Sequence, residues 1–181
     1  IRPFSQKGVF ASLRQFTINA MNQHHGMQAI ERFGGRWTGE DDFDEDGIQN
    51  EMTPADISAL VAWQASLPPP IQKQPEELSW QQAANEGEKI FQKIQCASCH
   101  IPALPLKSLT FTDPGLWDTA GTLRQGESAD VKTSYNFALQ AWAKGLKRNE
   151  KGEVLIPLFG DLKRHVIADA QVAALGNELL S

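Results

Sequence analysis

Apolar and small residues recur at helical spacing in several stretches of the chain. Val9, Phe10, Leu13, Phe16, Thr17, Ala20 and Met21 share one face of a helix expected over about Gly8 to Asn22. A second helix starts sharply at Thr53, whose hydroxyl can cap it. Pro54 fits the first turn, and Asp56, three residues on, completes a capping box of the acidic kind. Its apolar face is Ile57, Leu60, Val61 and Leu67, and Pro68-Pro69-Pro70 ends it. A third helix is read from Trp80, Ala83, Ala84, Gly87, Ile90, Phe91 and Ile94, with Ser79 as N-cap. Gly87 on that face lets another helix come close, and Phe91 can pack against it.

Beyond these, a short helix is predicted over about Tyr135 to Leu146, burying Phe137, Ala138, Ala141, Trp142 and Leu146. Val154 to Leu158 reads as a brief extended segment. Val172, Ala173, Leu175, Leu179 and Leu180 suggest an amphipathic helix that reaches the end of the sequence without a C-cap. With Ile1 at the other end, this predicts a processed or truncated piece of a longer protein. The fold class expected is all-α: a helical segment over 1–67 with an acidic loop, a stiff proline-rich linker over 68–75, and a second domain over 76–181.

Charge narrows the function. Lys and Arg number 17 against 22 Asp and Glu, a net charge of −5 over 181 residues. A mildly acidic chain lacks the basic field that nucleic-acid phosphates require. No apolar run approaches the roughly 18 residues needed to cross a bilayer.

The two cysteines carry the most specific signal. They lie in Cys96-Ala97-Ser98-Cys99-His100, the C-x-x-C-H pattern of covalent haem attachment. Each thiol can form a thioether to a haem vinyl group, and the adjacent His100 can bind the iron. Without the histidine, the same run would serve as a redox dithiol or half a zinc site. The amphipathic helix ending at Ile94 runs straight into the motif, a combination that resembles the first helix of class I cytochrome c domains. The sixth iron position is open. Met21, Met27 and Met52 all precede the motif, and His165 is the only histidine after it. His165 can be a distal ligand, a pocket-lining group or a surface residue, and the true distal ligand can also lie beyond Ser181. Trp117, Tyr135 and Trp142 are either a route for electrons or simply core.

Two further constellations carry chemistry. Asp42, Asp44 and Asp46 followed by Gly47 and Ile48 match the first half of a calcium loop, in which alternating carboxylates and the Ile48 carbonyl face one ion. The second half departs from the EF-hand pattern, since position twelve is Thr53. Asn50 and Glu51 can substitute in a tighter loop, and a solvated acidic turn remains the alternative. His24 and His25 end the first helix, where a histidine is favoured by the helix dipole alone. The functional readings of His25 are a distal haem ligand or an acid/base at a peroxide-binding haem.

The order of these blocks resembles the bacterial di-haem cytochrome c peroxidase superfamily, and within it the di-haem oxidoreductase, or putative peroxidase, branch. The blocks are Lys7-Gly8 to Gln15, His24 to Gln28, the acidic loop, Ala59 to Pro68, Cys96 to His100, and Asp161 to His165. The resemblance implies a periplasmic or secreted protein with two c-type haems in two cytochrome-like domains, often with calcium between them. It implies that residues 1–67 belong to a first domain whose haem motif is missing here. Lys7 to Met27 would rim that haem, with His25 near the superfamily's acid/base group. Cys96, Cys99 and His100 would hold the second haem in a cytochrome c-type domain. The function expected is electron transfer through one haem c, with a redox partner protein or the missing haem domain as partner. The alternative is peroxide reduction with His25 or His165 as acid/base, and a haem that merely staples the fold is a third reading.

Overall fold

The computed structural model describes residues 2–5, 8–115, 118, 123 and 132–165. Helix α1 is Leu13–His25, α2 Ile30–Phe33, α3 Gly35–Thr38, α4 Pro54–Ser66, α5 Leu78–Lys93 and α6 Ala141–Gly145. Strands β1 (Ala103–Leu106) and β4 (Val154–Pro157) form one antiparallel pair, and β2 (Thr110–Asp113) and β3 (Thr133–Asn136) another. The expected all-α class is therefore corrected to a mixed α/β fold, about 41% helix and 14% strand. Apart from β4, which falls on the segment read as extended, the strands escape the reading because each is four residues long, too short for alternation to stand out. Each pairs across a long sequence separation, and Pro105 and Pro157 interrupt the composition expected of a strand.

Local corrections follow the same physics. The helix expected over Tyr135 to Leu146 is instead β3, a 3₁₀ turn at Phe137–Leu139 and the five-residue α6. Tyr135 sits opposite Phe111 in the β2–β3 ladder, where an aromatic gains more from cross-strand packing than from a helix. Helix α1 begins at Leu13, five residues after the expected start at Gly8, because the Ser12 hydroxyl accepts from the Gln15 amide and fixes the first turn. Its buried residues are Arg14, Thr17 and Ile18 rather than the purely apolar set. Phe16 instead joins Phe4 and Phe10 in a partly buried aromatic cluster. Helix α5 starts at Leu78 after Glu77, so Ser79 is not its cap; the Ser79 hydroxyl bonds to the Glu77 carboxylate. The amphipathic helix expected near the end, together with Trp117, lies outside the described residues.

The capping box at α4 is present in full: Thr53 Oγ1 accepts from the Asp56 amide at 3.3 Å, and Asp56 Oδ2 accepts from the Thr53 amide at 2.8 Å. These bonds to Thr53 hold the Asp56 carboxyl below its usual range. Helices α1 and α4 then pack face to face. Ile18, Ala29, Met52, Ile57 and Val61 form the buried core, with Leu13, Met21, Met27, Phe33, Leu60 and Phe111 packed around it. Complete burial of side chains such as Ile57 and Val61 contributes about 1.5–3 kcal/mol each.

Beside this core lies a buried ion-pair network that the sequence pattern does not announce. Arg14 donates from Nε to Glu31 Oε1 (2.9 Å) and from Nη2 to Glu31 Oε2 (2.6 Å) and the Pro54 carbonyl (3.0 Å). Its Nη1 donates to Ser58 Oγ and Asp113 Oδ2, both at 2.8 Å. All five guanidinium N–H groups are used, which is what allows this side chain to be buried. Asp118, also buried, accepts from the Ser12 hydroxyl and from the Gly115 amide. One guanidinium thus faces three carboxylates.

Burial pushes the Glu31 and Asp113 carboxyls up, and neighbouring carboxylates add to this, so that Arg14 does not fully compensate. A raised carboxyl pKa means that the folded state holds protons the unfolded chain has released. This stabilisation is fully present below the unfolded pKa values, about 4, and is lost as pH rises through the raised ones. The urea midpoint should therefore fall along this window in wild-type protein and fall less steeply in Asp113→Asn, as measured by urea titrations at a series of pH values.

Candidate cofactor and metal sites

The C-x-x-C-H run folds as a tight turn at the end of α5. Gln95 takes a left-handed conformation (φ 64°), a 3₁₀ turn spans Cys96–Ser98, and the Cys96 carbonyl accepts from the amides of Cys99 (3.3 Å) and His100 (2.9 Å). Both thiols are free and half-buried, and His100 is exposed. The turn therefore offers two thiols and an imidazole within five residues.

The His100 ring is oriented by the β1–β4 pair. The ladder runs on past β4, with the Phe159 amide donating to the Pro102 carbonyl (3.4 Å) and the Gly160 amide to the Ile101 carbonyl (3.0 Å). Phe159 itself turns to φ 51°, and its carbonyl oxygen lies 3.1 Å from His100 Nδ1. A carbonyl can only accept, so Nδ1 carries the proton and Nε2 keeps its lone pair for a metal. Phe91 of α5 packs against both His100 and Phe159, with ring centroids 6.2 and 6.3 Å away.

The apolar stripe of α5 is the second feature. Trp80, Ile90 and Ile94 are more than half exposed, and α5 buries none of its residues among those described. A Cβ at Gly87 would meet nothing within 4 Å, so the close helix contact expected there is not formed among the described residues. A macrocycle set beside Cys96 and Cys99 would find apolar surface at Phe91 and Ile94. The donor set, the fixed tautomer and this surface fit a haem held by two thioethers with His100 Nε2 as ligand.

His165 is brought to the same place. Its Nδ1 lies 4.0 Å from Cys99 Sγ, and its Nε2 lies 2.8 Å from Asp161 Oδ2. Burial alone would raise the Asp161 carboxyl, but the Lys163 amide and the His165 ring bring it below its usual range. Both ring nitrogens of His165 therefore face protein atoms, an arrangement that positions the imidazole at the Cys99 sulfur. His25 lies exposed on the last turn of α1, beside His24. Of the aromatic residues considered as a route, Tyr135 stacks on Phe111 and Trp142 tilts against Phe137, in a ring series that joins the α1–α4 core through Phe111.

The acidic loop has the geometry of a cation cradle. Carboxylate oxygens of Asp42, Asp44 and Asp46 lie within 4.8 Å of one another. Asp42 Oδ2 accepts from the Gly47 amide (3.0 Å) and Asp46 Oδ1 from the Ile48 amide (2.8 Å). Gly47 adopts φ 91°, which a side chain would strain. Asp42 Oδ1 is buried and has no partner among the described residues, and neither has Nε2 of the buried Gln28, whose Oε1 accepts from the Phe43 amide. An unpaired buried carboxylate oxygen is costly unless a cation meets it. Glu51 stands apart from the triad: its Oε2 accepts from the Gln28 amide at 2.6 Å and so ties the loop to the core. The Ile48 side chain is exposed, leaving its carbonyl as the only group it can offer.

Sequence reasoning missed the approach of the Phe159 carbonyl to His100 and, although it named His165 and the run from Asp161 to it, the contact between those two side chains. The Phe159 carbonyl is a backbone atom and leaves no residue-type signal. The Asp161–His165 pair does leave one, an acid and a histidine four residues apart. Comparison of the chain with protein-family models, with curated proteins and with solved structures finds no match.

Proposed function

We propose that this chain carries one haem c for electron transfer, as part of a periplasmic or secreted di-haem oxidoreductase. Cys96 and Cys99 would hold the macrocycle and His100 Nε2 its iron. When bound, the haem supplies one-electron iron chemistry. The protein's part is to fix the His100 tautomer through the Phe159 carbonyl, to cover one side with Phe91 and Ile94, and to leave an edge near the surface. The observation that carries this reading is the 3.1 Å approach of the Phe159 carbonyl to His100 Nδ1, inside a C-x-x-C-H turn. The partner would be a redox protein or a second haem domain. Optical spectra of oxidised and dithionite-reduced protein, with and without peroxide, test it: a carrier gives a low-spin haem that ignores peroxide.

The Asp161–His165 pair favours a second reading, peroxide reduction. An imidazole oriented by a carboxylate is the usual form of an acid/base group; both histidines are exposed, but His165 has such a carboxylate in Asp161, and its Nδ1, now facing Cys99 Sγ, would be the nitrogen that turns to peroxide. A peroxidase would show an open coordination position and a spectral change on adding peroxide.

Calcium at Asp42, Asp44 and Asp46 belongs to the same proposal, with the Ile48 carbonyl as a further ligand. Its role there would be structural, holding the loop in front of α4. Millimolar Ca²⁺ should raise the melting temperature of wild-type protein, and Asp44→Asn should abolish that rise; equal melting temperatures with and without Ca²⁺ would count against the site.

A further inference from the structure

A cavity of about 390 Å³ lies between the N-terminal turn and the chain just before His165, lined by Arg2, Gly8, Leu162, Lys163 and Arg164. Three of these five residues are cationic and none is acidic, in a chain with a net charge of −5. Its shape depends on unusual backbone. Gly8 has φ 64°, and a Cβ there would meet the Arg2 carbonyl oxygen at 2.8 Å. The bare glycine lets the Arg164 stem lie along the turn as a wall, its Cγ and Cδ 3.6 Å from that Cβ position. Leu162 sits at φ 57°, a left-handed conformation that a leucine rarely adopts. Asp161, next in the chain to Leu162, lies close enough to Lys163 for the lysine charge to help lower its carboxyl, but its oxygens are engaged elsewhere. One of its oxygens accepts from the Lys163 amide (2.9 Å), and the other faces His165 (2.8 Å).

We propose that this cavity binds a small oxyanion, a carboxylate or a phosphate, with Arg2 and Lys163 as its main charge donors. Arginine supplies a planar fork that matches an oxyanion, and lysine a point charge beside it. Two sources offer the same chemistry. One is a free anion from solution. The other is a propionate of the macrocycle proposed at Cys96 and Cys99, since Arg164 adjoins His165 and His165 Nδ1 lies 4.0 Å from Cys99 Sγ. The oxyanion site itself does not rest on the haem reading, because it can be measured on haem-free chain.

The experiment is calorimetric titration of haem-free and haem-loaded chain with inorganic phosphate and with acetate at low ionic strength, in wild type and in the double variant Arg2→Gln, Lys163→Gln. Both residues are exposed, and circular dichroism checks that the variant keeps its fold. Haem-free wild type should bind saturably, and the double variant should lose more than about tenfold in affinity, as the loss of a charged hydrogen bond implies. Binding that persists with haem loaded identifies a free anion as occupant; binding abolished by haem identifies the propionate. No saturable binding in haem-free chain, or equal affinity in the variant, overturns the proposal.

Discussion

Replacing Arg14 with alanine is expected to lower the free energy of unfolding by about 3–5 kcal/mol near neutral pH, the range typical for removing one partner of a buried ion pair. Five hydrogen bonds disappear together, and the carboxylates of Glu31 and Asp113 are left buried without their guanidinium. The loss should shrink as pH falls, because protonated carboxyls no longer need a cation. A loss from cavity formation alone would not depend on pH in this way. Urea unfolding of wild type and Arg14→Ala at neutral and mildly acid pH separates the two. A loss below about 1 kcal/mol at neutral pH would mean that the network is worth no more than a surface pair.

The second large effect concerns the thiols. The double variant Cys96→Ser, Cys99→Ser is expected to lose all covalently attached haem when matured alongside the wild type, since serine hydroxyls do not add to the vinyl groups. The wild-type chain should keep its pigment through denaturing electrophoresis and gain one haem in intact mass. A pigment that survives in the double variant would mean that the macrocycle is held elsewhere. The fold should outlast this change, because the core of Ile18, Ala29, Met52, Ile57 and Val61 contains neither cysteine.

What the sequence made legible depended on the range of the interactions involved. The Thr53–Asp56 capping box could be read directly, because all its atoms lie within four residues. The C-x-x-C-H turn could be read for the same reason, as could the Asp42-to-Ile48 loop with its glycine at φ 91°. The β1–β4 pair was only half visible. Val154 to Leu158 read as extended, but its partner Ala103–Leu106 contains a proline and lies some 50 positions earlier. The Arg14 network was invisible, because Glu31, Ser58 and Asp113 are 17, 44 and 99 residues away from it. An arginine on a helix reads as solvated until three carboxyl or hydroxyl partners converge on it. Helix α5 shows the opposite failure: its strong apolar stripe predicts burial, yet Trp80, Ile90 and Ile94 remain exposed among the described residues.

The most direct measurement is a pyridine haemochrome spectrum of the chain produced with a cytochrome c maturation system, taken before and after acid–acetone extraction. A haem attached through Cys96 and Cys99 gives the band of a doubly thioether-linked haem, in one-to-one ratio with polypeptide, and none of it extracts. Haem that extracts freely, or a chain that carries none, would contradict the assignment of Cys96, Cys99 and His100 as a haem site.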